Sequence, residues 1–97
     1  MTLAELTGDV FQPHLNDRFQ MRSDASVIDV TLVSVNRRAA GPGEKRAPFS
    51  LVFRGPHAPV WPQRIYRLSH ATLGEFDIFF VPIGPDQLGL QYEAVFG

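Results

Sequence analysis

No cysteine occurs among the 97 residues, which removes disulfides, thiolate metal sites and thiol nucleophiles together and fits a reducing compartment. Nor is there a marked excess of either charge. Lys and Arg number 9 against 10 Asp and Glu, a net charge of −1, so no global basic field draws in a nucleic-acid backbone. No stretch approaches the ~20 apolar residues that a membrane helix requires. The opening Met1-Thr2-Leu3-Ala4-Glu5 has neither the basic start nor the apolar run of a secretory signal. These absences argue against nucleic acid and membrane as partners. They place the chain in the cytoplasm, or outside it only as part of an exported assembly.

Catalytic and cofactor signatures are absent as well. His14, His57 and His70 do not share the i, i+2 or i, i+4 spacing of a local metal site. None of Ser23, Ser26, Ser34, Ser50 and Ser69 sits in a Gly-x-Ser-x-Gly elbow. Gly41-Pro42-Gly43-Glu44-Lys45 lacks P-loop spacing and leads into no helical pattern, so it reads as a solvated loop. Asp77, Asp86 and Glu93 form no local carboxylate pair, and Asp86 after Gly84-Pro85 reads as a turn residue bonding nearby amides. The expectation is a non-enzymatic chain with no catalytic, metal or cofactor residues and no cofactor.

What is abundant is aromatic and turn-forming: 8 Phe, 8 Gly and 8 Pro, with hydrophobic residues at 44% and charged ones at 20%. That apolar load is enough to offset chain entropy, and a chain this short sustains one core, hence a single domain over 1–97. Helical character is confined to the first residues, roughly Leu3 to Leu15. Thr2 and Glu5 have capping-box spacing there, Thr7 is a second candidate N-cap, and Pro13 limits the helix to about three turns at most. Val10, Phe11 and Leu15 supply its apolar side, and Asn16 is suited to a left-handed turn.

From Arg18 onward the pattern is strand, turn, strand. Alternation and β-branching predict strands at Phe19–Arg22, Val27–Arg37, Phe49–Arg54, Ile65–His70, Phe76–Val81 and Leu90–Phe96. Pro82-Ile83-Gly84-Pro85 is expected to break the fifth. His70 is expected at a turn or on the surface. The fold class is therefore mainly β: a short N-terminal helix, then about six antiparallel strands. With one short helix to cover them, these strands hide their apolar face by closing into a small barrel or packing as a two-sheet sandwich.

Two places qualify as interaction sites. Phe79 and Val81 fall on the face opposite Phe76, Ile78 and Phe80, so the fifth strand is apolar on both sides and calls for a cover, either the helix or another subunit. The second is the proline-restricted connection His57–Arg64. There Trp61 serves either as the anchor of a partner surface beside His57 and Arg64 or as a plug at one end of the core. A protein partner or self-association is expected, giving an interaction or assembly module. A small-ligand-binding β-barrel is the alternative.

The second half resembles a bacterial family of domains of unknown function, DUF6916. Its matching stretches are Pro48-Phe49-Ser50-Leu51-Val52-Phe53-Arg54-Gly55-Pro56, Pro62-Gln63, Tyr66-Arg67-Leu68 with His70, Leu73-Gly74, Phe80-Val81-Pro82-Ile83-Gly84-Pro85-Asp86 and Tyr92-Glu93-Ala94-Val95-Phe96. Trp61 stands where the family more often has an aliphatic residue. The resemblance brings no catalytic or binding residue, and it implies a structural or assembly accessory of phage-tail-collar-like proteins.

Overall fold

The computed structural model describes residues 5–43 and 47–96. Its helical part keeps within the three turns expected and starts from the second candidate N-cap: α1 covers Gly8–Phe11, and a 3-10 turn, Gln12–His14, follows. Thr7 holds the N-cap with an extended backbone but makes no side-chain capping bond, and Pro13 enters where the α-helix has already tightened into the 3-10 turn. Thr2 of the expected capping box lies outside the described residues, as do Glu44 and Lys45 of the expected solvated loop. Arg37, from the end of the second strand, holds the short helix by an ion pair with Asp9 and a 3.0 Å bond to the Gln12 amide oxygen. Asn16 takes the left-handed conformation at φ 72°, as its residue type foretold.

Six strands follow: β1 (Arg18–Arg22), β2 (Val27–Arg37), β3 (Phe49–Gly55), β4 (Arg64–His70), β5 (Gly74–Pro85) and β6 (Leu90–Phe96). All pairings are antiparallel and the sheet closes in the order β1-β2-β3-β6-β5-β4, which decides for the barrel over the sandwich. The chain makes two meanders, β1-β2-β3 and β4-β5-β6. The long connection after Gly55 carries β4 back beside β1, so β4-β1-β2-β3 is a Greek key.

Strand β5 does not break at Pro82 but runs to Pro85. Its first part, Gly74–Phe80, pairs with β4 and its second, Val81–Pro85, with β6, so each residue needs ladder bonds on one side only. The register shifts between Pro82 and Gly84, and that bulge accommodates a residue without an N–H donor. A similar shift in β2, between Leu32 and Ser34, bends that strand around the barrel.

Inward alternation along every strand fills the interior. Phe19 and Met21 of β1, Val30 and Leu32 of β2, Leu51 and Phe53 of β3, Leu68 of β4, Phe80 of β5 and Tyr92 and Ala94 of β6 are all buried. Phe53 makes edge-on ring contacts with Phe19 and Phe80 at centroid distances of 5.2 and 5.5 Å, an arrangement that satisfies the ring quadrupoles. Phe11 closes one end of the barrel. Its ring lies 6.2 Å from Phe49, 6.5 Å from Phe76 and 6.4 Å from Phe96, so the helix is a stopper and not a cover for the outer face of β5. Phe11→Ala should cost about 3–5 kcal/mol, the usual toll of emptying a buried phenyl site. Thermal denaturation followed by circular dichroism reads this as a lower melting temperature with the strand signal intact.

Candidate functional site

At the opposite end of the barrel the connection after β3 folds inward. Trp61 is only 7% exposed, its ring 5.1 Å from that of Tyr66, and its backbone N–H donates to the Tyr92 hydroxyl at 3.0 Å. The Tyr66 hydroxyl in turn donates to the Pro62 carbonyl, which ties the connection to β4; burial pushes that phenol up from its ordinary pKa. An exposed anchor at Trp61 is therefore not what the fold presents. The indole is a plug, because Pro59 and Pro62 turn the chain across the barrel mouth and leave the ring nowhere to go but in. Its neighbours stay outside: His57 is exposed and donates from Nε2 to the Asp86 carbonyl at 3.1 Å. Arg64 is exposed as well, its guanidinium 5.4 Å from the Tyr66 ring centroid and 3.8 Å from the Asp24 carboxylate.

Asp86 belongs to the same end. One carboxylate oxygen accepts from the N–H groups of Leu88 and Gly89 at 2.8 and 2.9 Å, and the other takes Nε and a terminal nitrogen of Arg54, with Nε at 2.7 Å. This is the turn role expected of Asp86, extended by a tie to β3. The turn presses so close that a Cβ on Gly89 would run into the Gly55 carbonyl oxygen.

A polar cluster that sequence spacing does not reveal lies near the start of β1. Asp17 Oδ2 accepts from His14 Nδ1 and from His70 Nε2, each at 2.9 Å. His70 is not the turn or surface residue expected: its side chain is 7% exposed, because β1 and β4 pair and draw the end of β4 under the 3-10 turn. The set has the composition of a two-His, one-carboxylate metal centre, and its ligand atoms lie within 4.8 Å of one another. Its hydrogen bonding does not suit a metal. His70 Nδ1 accepts the N–H groups of Thr72 and Leu73 at 3.0 and 3.1 Å, so the proton sits on Nε2, the atom a metal would need. The cluster is a latch joining the N-terminal turn to the β4–β5 hairpin, and its two imidazole hydrogen bonds hold the Asp17 carboxyl below the usual carboxylate range.

On the outer wall the two hairpins set residues in rows. Gln20, Ser69 and Glu75 form one row across β1, β4 and β5; Arg22, Arg67 and Asp77 form the next. Ile65 and Phe79 are directly paired in the row after that, 63% and 52% exposed, with Val81 half-buried two residues along β5. Arg67 bridges to Asp77 at 2.8 Å and to Glu75 at 3.1 Å. Val95 and Leu88, each 74% exposed, have no such context: Val95 faces Ser50 across the ladder and Leu88 lies in a turn. The expected patch thus holds Phe79 as its exposed member, with Ile65 as the partner the sequence reading had not singled out. Of the other expected site residues, His57 and Arg64 belong to the barrel mouth and Trp61 to the core.

Two outcomes follow from these contacts. Trp61→Ala should lower folding stability by about 3–5 kcal/mol, read as a fall in melting temperature of the isolated chain. Asp86, held at a pKa of about 2 chiefly by Arg54, stabilises the fold above its unfolded pKa and loses that contribution as pH falls through its folded value. The melting temperatures of wild type and Asp86→Ala should therefore differ fully at neutral pH, begin to draw together below about pH 4 and converge as pH falls through about 2, as scanning calorimetry across that range would measure.

No curated protein and no solved structure matches the chain. A family model matches from residue 6 to residue 96, taking in the helical stopper, all six strands and the barrel-mouth connection. By that match, the chain belongs to the domain of unknown function DUF6916.

Proposed function

We propose that this barrel is a non-enzymatic interaction module that binds a protein through the outer wall of β4 and β5. The observation that carries the reading is the directly paired, exposed Ile65 and Phe79. Scattered single apolar residues on a surface are ordinary, but two large ones in register form a continuous strip on a rigid element, flanked by charges that orient whatever covers it. Inward positions carry core side chains and Phe11 and Trp61 occupy the two ends, which favours the outer wall over an internal ligand cavity as the place of binding. The histidine cluster is engaged in holding the hairpin, which supports a binding role over a catalytic one. An accessory part in an assembly of the phage-tail-collar-like kind is the setting we propose for such a module.

A photo-crosslinking residue placed at position 79 in the native host tests this. It should give a discrete protein adduct that the same residue at Asp29, on the outer side of β2, does not. Equal labelling at the two positions, or none at position 79, overturns the reading.

A further inference from the structure

Resting on that reading, we infer that the partner on the β4–β5 wall is a second copy of this chain, related by a two-fold axis lying between β4 and β5 and parallel to them. The argument is the sign of what each strand offers. In the row next to the apolar strip, β4 presents Arg67 and β5 presents Asp77; one row further on, β4 presents Ser69 and β5 presents Glu75. A two-fold axis along the strands exchanges β4 for β5 across the interface. It sets Ile65 on the partner's Phe79, Arg67 on the partner's Asp77 and Ser69 on the partner's Glu75, so apolar meets apolar in the first row, cation meets anion in the second and a hydroxyl meets a carboxylate in the third.

The surface is self-complementary, as an isologous contact demands. An axis across the strands has no such property, because it carries the arginine row past the apolar strip to positions without a matching carboxylate. A stable interface covers about 800 Å² on each partner, more than two side chains supply, so the charged rows must be part of it. Arg67, Asp77 and Glu75 are each about half exposed and already ordered by one another, so little side-chain freedom is lost when a second copy shares them. The net charge of −1 opposes pairing only weakly.

The test uses the full chain and charge reversal with mixing, read by light scattering and sedimentation velocity over rising concentration, with a thermal melt for each variant. Wild type should associate to a dimer. Arg67→Glu and Asp77→Lys each place like charges across the two-fold and should weaken dimerisation about tenfold or more while remaining folded, since the ion pair they remove within the chain is exposed. An equimolar mixture of the two should dimerise again, because Glu on one chain then meets Lys on the other while the native Arg67 and Asp77 meet on the other side of the axis. Phe79→Ser should abolish dimerisation alone and in mixture.

A wild type that stays monomeric overturns the inference but not the module reading, provided the position-79 adduct joins some other protein. Association that survives Phe79→Ser, or a mixture that does not recover, also overturns it. If no adduct forms at position 79 in the host, the module reading itself fails.

Discussion

Closing a ring of six strands around a volume this small is the constraint on which the rest of the structure depends. Closure satisfies strand edges but leaves a tube with two open ends, and an open end admits water to an apolar interior. The chain meets this with rings. Phe19, Phe53 and Phe80 occupy the middle, Phe11 stops one mouth among Phe49, Phe76 and Phe96, and Trp61 stops the other over Tyr66 and Tyr92. The heavy phenylalanine content follows from this geometry: few other side chains carry as much apolar area on so little rotamer freedom. The same constraint explains the short helix, which needs only enough turns to aim Phe11 inward. Arg37 sets that aim from outside through Asp9 and Gln12.

Much of this was legible in the residues. Alternation located all six strands, with ends displaced mainly where a bulge let a strand outlast its prolines, as in β5. The reason for that displacement is topological: β5 changes partner near Phe80, and no local signal marks the residue at which a strand leaves one neighbour for another. Trp61 shows the opposite difficulty. Its flanking prolines fix the backbone but not which way the ring points, and only the mouth of a closed barrel decides that. His14, Asp17 and His70 were illegible for a third reason: two of them lie 53 residues apart in the chain, and pairing of β1 with β4 is what brings them together.

The apolar strip was half legible, and the half that was missed could have been reached. Phe79 stood out because it opposes Phe76, Ile78 and Phe80 on its own strand. Its neighbour follows from the hairpin: with His70 opposite Gly74, antiparallel counting sets Ile65 opposite Phe79 and Arg67 opposite Asp77. A tight turn is therefore more than a boundary mark. It fixes which outward residues touch, and so converts two exposed hydrophobic positions into one surface.

That surface and the core make different demands on the same strands. Tyr66, Leu68, Ile78 and Phe80 must face inward for the barrel to close, and the period of two then forces Ile65, Arg67, Asp77 and Phe79 outward together. Closure does not require those outward residues to be apolar; threonine at 65 and 79 keeps a strand-favouring residue at each position and blunts the surface. As a cross-strand pair Ile65 and Phe79 add modestly to the ladder, roughly 0.2–1 kcal/mol, while leaving most of their surface exposed, and the next residues on the two strands, Arg67 and Asp77, are charged in opposite sense. An exposed apolar pair beside charges that match their own two-fold image is the feature on which the proposed self-association rests.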